Sequence, residues 1–171
     1  TLMQLTSVTE DQQNFPSFTK PTILICKNRT KILTEQLCNA FMVTYLHAPD
    51  LKELEHNAMY QTLALSGVQF GRLERIDSSA LFSAVSMKVA ILNGVKSMEA
   101  EAFNYCKGLR YVEMNSVSKI SRKSFGDCVS LQRAIFHAAE IIESNAFNNC
   151  HSLQYMEIPL IKELKDDQVN S

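Results

Sequence analysis

The sequence predicts an α/β solenoid, a right-handed coil with a parallel strand sheet on one side and short strands, turns and helical turns on the other. The first observation is a set of phenylalanines 22 residues apart, each followed three residues later by a cysteine: Phe103 and Cys106, Phe125 and Cys128, Phe147 and Cys150. The second is that apolar residues recur at fixed positions between them. A fixed period in this range is typical of solenoids, whose units bury their apolar side only against their neighbours.

The clearest copy of the repeat runs from Leu109 to Leu131 and reads L-x-x-V-x-M-x-x-V-x-x-I-x-x-x-x-F-x-x-C-x-x-L. The same register continues backwards without an insertion, so units start at 21, 43, 65, 87, 109 and 131, with a partial unit at 153. We therefore predict a solenoid over 21–164 and a polar tail over 165–171. A degenerate half-repeat or cap over 1–20 is marked by Leu2, Phe15 and Phe18.

Local patterns predict the elements of one unit in order. The stretch from Leu109 to Met114 alternates apolar and polar residues, which predicts a short strand with Val112 and Met114 facing inward. Val117 and Ile120, three residues apart, predict a second short extended segment. The following F-x-x-C-x-x-L spacing predicts one turn of α- or 3₁₀-helix with its apolar side inward.

Composition limits the classes of partner. The chain has 17 basic and 18 acidic residues and a formal charge of −1, without the clustered basic face that nucleic-acid binding requires. Its apolar runs are far shorter than a membrane span, so no membrane insertion is expected. Nothing in the sequence predicts a cofactor.

Neither the cysteines nor the histidines predict a reactive centre. Cys106, Cys128 and Cys150 share one inward position, which favours buried packing thiols over two alternatives, disulfides between neighbouring coils and a metal site. The four histidines fall in separate columns, so no nucleophile–histidine pair is predicted: His47, His56, His137 and His151. We expect the protein not to be an enzyme.

The x-x-A-F-x-x-C-x-x-L core resembles the BspA-type leucine-rich repeat, most clearly in 102–109 and 146–153. Glu157-Ile158-Pro159 is similar to that family's strand exit. The unit is about one residue shorter than is usual in the family, and the common glycine after the second isoleucine is replaced, for example by Ser121. In these respects the repeat resembles the variants of parasitic protists more than the bacterial ones. The resemblance implies a surface-exposed or secreted adhesion and interaction protein without catalytic residues.

The register places outward-facing columns on the strand sheet. They are richer in aromatic and aliphatic residues than solvation requires, and Tyr and Arg are the residue types that anchor protein interfaces. The predicted partner-binding residues are Tyr45, Val89, Ile91, Tyr111, Arg133, Ile135 and Tyr155. The alternative explanation is that Val, Ile and Tyr are good strand formers.

The predicted function is a non-catalytic protein-interaction or adhesion module at the cell surface or secreted, with a host or matrix protein among the candidate partners. The alternative is an intracellular, cytoplasmic scaffold or a subunit of a large assembly. Because the seventh unit stops before its F-x-x-C, three explanations stay open: the segment belongs to a longer repeat array, a partner covers the last unit, or two copies associate end to end.

Overall fold

The computed structural model describes residues 3–9 and 14–165, which form a β-solenoid of about seven coils. We number the coils 1 to 7 from the units that start at 21, 43, 65, 87, 109, 131 and 153. Leu2, most of the polar tail and part of the segment before Phe15 lie outside the described residues. The described part contains no helix, and therefore no apolar helix long enough to cross a membrane.

Each coil contributes one strand to each of two series of parallel strands. The first series opens the coils and consists of β1 (Gln4–Thr9), β2 (Thr22–Lys27), β4 (Val43–Ala48), β6 (Gly67–Phe70), β8 (Val89–Ile91), β10 (Tyr111–Glu113), β12 (Arg133–Ile135) and β14 (Tyr155–Glu157). The second series consists of β3 (Lys31–Ile32), β5 (Glu53–Leu54), β7 (Arg75–Ile76), β9 (Ser97–Met98), β11 (Lys119–Ile120), β13 (Ile141–Ile142) and β15 (Glu163–Leu164).

Strand pairing follows the 22-residue period. Tyr111 pairs with Arg133, and Lys31 pairs with Glu53. Two departures occur at the front: β1 pairs with β2 at an offset of 18 residues, and a bulge shifts the register between Thr22 and Ile23. The first series is divided into two sheets between β6 and β8, and the second between β9 and β11.

The core is a set of inward columns that run along the solenoid. Val112, Met114 and Ile120 are buried, as the alternation predicts. Phe103, Phe125 and Phe147 stack in one column with ring centroids 5.4 Å apart in both pairs. Offset-stacked aromatic pairs add stabilisation beyond their buried area, so this column is the most continuous packing element of coils 4 to 6.

The predicted helical turns are wrong for the described residues, and the class is all-β rather than α/β. In each of coils 1 to 6, two residues four apart lie in the left-handed region, such as Glu35 (φ 59°) and Asn39 (φ 58°) in coil 1. Single residues adopt this conformation, but a right-handed helix cannot contain it. Some backbone hydrogen bonds of this segment also connect neighbouring coils: the N–H of Leu37 donates to the carbonyl of Ala58 in the next coil at 2.8 Å. Alternate N–H groups therefore pair between coils, and those between them make single i→i−3 turns, such as Gln36 to Leu33, so no continuous run of helical bonds forms.

The two ends of the described solenoid differ. At the front, Phe15 and Phe18 pack against the core, and the guanidinium of buried Arg29 lies 4.7 Å from the centre of the Phe15 ring. In coil 7, Ile161 and Leu164 are exposed, Leu164 by 62%, although the same columns are buried in coil 5. The outer side of coil 7 is therefore an apolar edge.

Candidate partner-binding face

Six of the seven predicted residues lie in one sheet. We call the outward side chains of β8, β10, β12 and β14 the outer strand face. Its first column consists of Val89, Tyr111, Arg133 and Tyr155, and its second of Ile91, Glu113, Ile135 and Glu157. Partners in adjacent strands are about 4.8 Å apart, so each column is a continuous row of side chains.

Tyr45 lies apart from the other six. It belongs to β4, in the sheet of β1, β2 and β6. A Cβ atom at Gly67 would lie 3.0 Å from the Tyr45 ring, so the half-buried ring extends across Gly67 in the next coil. Tyr45 therefore covers backbone instead of extending the outer strand face.

Exposure differs strongly among the predicted residues. Ile91 is 57% exposed and Val89 47%, while Arg133 and Tyr155 are also exposed and Tyr111 is half-buried. Ile135 is only 8% exposed because Glu113 and Glu157 flank it in the strands on both sides. The accessible aliphatic area therefore lies at β8, one of the two edge strands of this sheet.

Two tyrosine–glutamate pairs organise the face. The Tyr111 hydroxyl donates to Glu113 Oε2 at 2.5 Å, and the Tyr155 hydroxyl donates to Glu157 Oε2 at 2.8 Å. Neither glutamate was among the predicted site residues. The sequence signal was present, because Tyr-x-Glu occurs twice at a spacing of 44 residues and a strand places residues i and i+2 on one face. The aromatic rings and the negative charges thus form one surface.

The Glu113 carboxylate is surrounded by donors. Oε1 accepts hydrogen bonds from the side-chain amides of Asn93 and Asn115, each at 2.9 Å. Together with the Tyr111 hydroxyl, these bonds favour the charged form and lower the pKa of Glu113. The same bond to Glu113 raises the pKa of Tyr111, which keeps the hydroxyl protonated as a donor.

At the other end of the face, Arg133 and His137 contact the second pair. The Arg133 guanidinium lies 4.7 Å from the centre of the Tyr155 ring, a cation–π distance. His137 Nε2 lies 3.1 Å from Glu157 Oε1. Hydrogen bonds from Tyr155 and then from His137 lower the pKa of Glu157. Side chains held in this way lose less conformational entropy when a partner binds.

The hydrogen bonds to Glu113 predict how its pKa changes when one donor is removed. In wild-type protein we expect the pKa of Glu113 to lie below the ordinary glutamate range, and in Tyr111→Phe it should rise towards that range because the hydrogen bond from the Tyr111 hydroxyl is gone. A carboxyl group whose pKa is lower in the folded state than in the unfolded state stabilises the fold at pH values above its unfolded-state pKa. This stabilisation is lost as the pH falls through the folded-state pKa. Carboxyl-carbon NMR across this acidic range measures the shift. The control is Tyr155→Phe, which should move Glu157 and leave Glu113 unchanged.

The cysteine thiols are part of the core. The thiols of Cys106, Cys128 and Cys150 donate to the carbonyl groups of Leu81, Phe103 and Phe125, at 3.1–3.2 Å. Burial raises the pKa of Cys106 to about 12. Thiols with such pKa values are poor nucleophiles and poor metal ligands at neutral pH. Across residues 3–9 and 14–165, no three His, Cys, Asp or Glu side chains are placed to hold a metal ion.

The fold and the outer strand face together define a repeat protein of the leucine-rich-repeat class. The family model of the BspA type leucine rich repeat region matches residues 12–132 and 74–168 with six copies, and the chain belongs to this family. The resemblance seen in the F-x-x-C motif is thereby confirmed. No curated protein matches the chain at a significant level.

Two solved structures match the chain. A leucine-rich repeat protein from Bacteroides ovatus is 16% identical with a TM-score of 0.61, and the match covers 95% of this chain and 48% of that one. A leucine rich cell surface protein from Faecalibacterium prausnitzii is 14% identical with a TM-score of 0.48, over 86% of this chain and 60% of that one. The chain thus spans about half the length of the Bacteroides protein. At 16% identity the likeness to the Bacteroides protein concerns the fold alone.

Proposed function

We propose that the protein is a non-catalytic interaction or adhesion module that binds a protein partner through the outer strand face. The observation that carries this proposal is the exposure of Ile91 and Val89 beside side chains that hydrogen bonds already hold in place. Leucine-rich repeats of this family are typically binding modules, which supports the same class of function.

The chemistry of the face suits a protein partner. Ile91 and Val89 offer apolar area, and full burial of such a side chain is worth about 1.5–3 kcal/mol. Arg133 and Tyr155 are residue types that often carry much of an interface's binding energy. The fixed carboxylates of Glu113 and Glu157 would select a partner with donor or basic groups opposite them. The face therefore combines an apolar edge with an ordered polar centre.

We place this module at the cell surface or in a secreted protein, since the BspA-type family suggests a surface repeat module. A host or matrix protein is the partner that this location favours. An intracellular scaffold remains the alternative. A signal sequence or membrane anchor in the full gene product would favour the surface location, whereas their absence would favour the scaffold.

The experiment compares capture by the wild-type protein with capture by Ile91→Lys and Tyr111→Ala, using an immobilised panel of matrix and surface proteins. For a captured partner, we expect each change to weaken binding about tenfold or more, a loss of roughly 1.4 kcal/mol. The matched control is Leu33→Lys, at an exposed position whose counterparts in coils 2 to 4 are already charged. Unchanged affinity of both face variants would contradict the proposal.

End-to-end association of two copies stays a prediction. The apolar edge of coil 7, formed by Met156, Ile161 and Leu164, is the surface that such a contact would use. Leu164→Lys tests it, because a charge there should remove any self-association that depends on this edge.

A further inference from the structure

A second apolar surface lies away from the outer strand face, at the corner where the turns lead into the first strand series. We call it the corner stripe. It consists of Phe41, Met42, Tyr60, Leu63, Phe82 and Val85. Phe41 is 48% exposed and Leu63 39%, and the rings of Tyr60 and Phe82 stack with centroids 4.8 Å apart. The stripe runs along the solenoid over coils 1 to 3.

The repeat itself shows that folding does not require these residues. Phe41, Leu63 and Val85 occupy one column, which Lys107, Val129 and His151 fill in coils 4 to 6. The neighbouring column of Tyr60 and Phe82 is filled in coils 4 to 6 by Asn104, Gly126 and Asn148. Polar residues are therefore compatible with the same backbone positions, and the exposed Phe41, Met42 and Leu63 need a reason other than the fold.

The stripe also lacks charge. No Asp, Glu, Lys or Arg occurs in residues 36–49, 57–71 or 78–87. The corresponding part of coil 4 contains Lys107 and Arg110, and that of coil 5 contains Asp127 and Arg133. Contiguous exposed apolar area of this kind marks interaction sites. A shallow cleft of about 330 Å³, lined in part by Phe15, Phe18 and Phe41, continues the stripe at the front.

We propose that the corner stripe is the contact surface of a side-by-side dimer, in which it packs against the same stripe of a second copy. A second solenoid presents its side chains at the same spacing of about 4.8 Å, so two stripes can interdigitate over their whole length. In an extended peptide, successive side chains on one face are about 6.7 Å apart, so they do not match the spacing of the stripe. An uncharged stripe can also meet its own copy without repulsion, as a twofold contact requires.

The available area sets the strength of this dimer. With flanking Asn39, Gln61 and Tyr105, the stripe has nine residues per copy, fewer than the about 20–30 residues per side of a standard interface. The dimer is therefore weak and reversible, and it forms only at high protein concentration.

Sedimentation equilibrium over a concentration series tests the dimer. Wild-type protein should approach twice the monomer mass as its concentration rises to about 1 mM. Leu63→Lys, which copies the residue that coil 4 already has in this column, should weaken the association at least tenfold. Circular dichroism of both proteins verifies that the variant is folded.

Leu164→Lys, on the apolar edge of coil 7, distinguishes the stripe from end-to-end contact. Association that persists in Leu164→Lys and is lost in Leu63→Lys supports the side-by-side dimer. A monomer mass at every concentration overturns the inference. Association lost in Leu164→Lys and retained in Leu63→Lys overturns it as well, and assigns the contact to the coil 7 edge.

Discussion

Phe125→Ala is expected to lower the free energy of unfolding by about 3–5 kcal/mol, the usual cost of truncating a buried aromatic residue. Phe125 is fully buried and stacks on Phe103 and Phe147 at 5.4 Å on either side. It also contacts the Phe136 ring at 5.5 Å. Its loss would open a cavity in the middle of a continuous column, where neither neighbouring coil can close the gap without breaking its own strand pairing.

Urea denaturation followed by circular dichroism measures this loss. The matched control is Phe82→Ala, which removes the same atoms from a half-buried ring on the corner stripe. We expect a smaller loss there, because much of that ring already contacts solvent. Equal losses for the two variants would contradict the assignment of Phe125 to the principal packing column.

Gly108→Ala is expected to lower the free energy of unfolding by about 1–3 kcal/mol, as overpacked positions usually do. A Cβ atom at Gly108 would lie 2.2 Å from the carbonyl oxygen of Val85 and 3.2 Å from that of Met87. Both are backbone atoms, and the nearer one, in Val85, belongs to coil 3, so an added methyl group must push coil 4 away from coil 3. The φ angle of Gly108 is not positive, so the requirement is close approach rather than conformation.

Gly94→Ala is the matched control for this prediction. A Cβ atom there would lie 3.1 Å from the carbonyl oxygen of Leu73, a contact that a small shift can relieve. Thermal unfolding of the two variants should therefore show a clearly larger decrease for Gly108→Ala. A larger decrease for Gly94→Ala would mean that the spacing of coils 3 and 4 is not set at Gly108.

The 22-residue period predicted the strand register because it is a property of the whole chain. Pairs such as Tyr111 with Arg133 follow from counting alone. The turn segment was not predictable in the same way. The F-x-x-C-x-x-L spacing suits both a helical turn and a segment in which every second N–H group donates to the next coil. The left-handed residues that decide the matter are of many types, including Glu101, Tyr105 and Lys123, and none is glycine.

The candidate site was only partly predictable for a related reason. Period and alternation predict which way a side chain points, and Val89 and Ile91 are exposed as outward-facing residues. They do not predict how neighbours share the surface. Ile135 faces outward by register, yet side chains of the two neighbouring strands cover it. The hydroxyl groups of Tyr111 and Tyr155 donate hydrogen bonds to the glutamates two residues later in the chain.

Methyl NMR of the protein bound to its captured partner tests the central claim most directly. We predict that the methyl signals of Ile91 and Val89 shift or broaden as the partner is added, while those of Leu63 and Leu164 do not. Perturbation confined to Leu63 or Leu164 would assign binding to the corner stripe or the coil 7 edge. Either result, with Ile91 and Val89 unchanged, would contradict the account of the outer strand face as the binding surface.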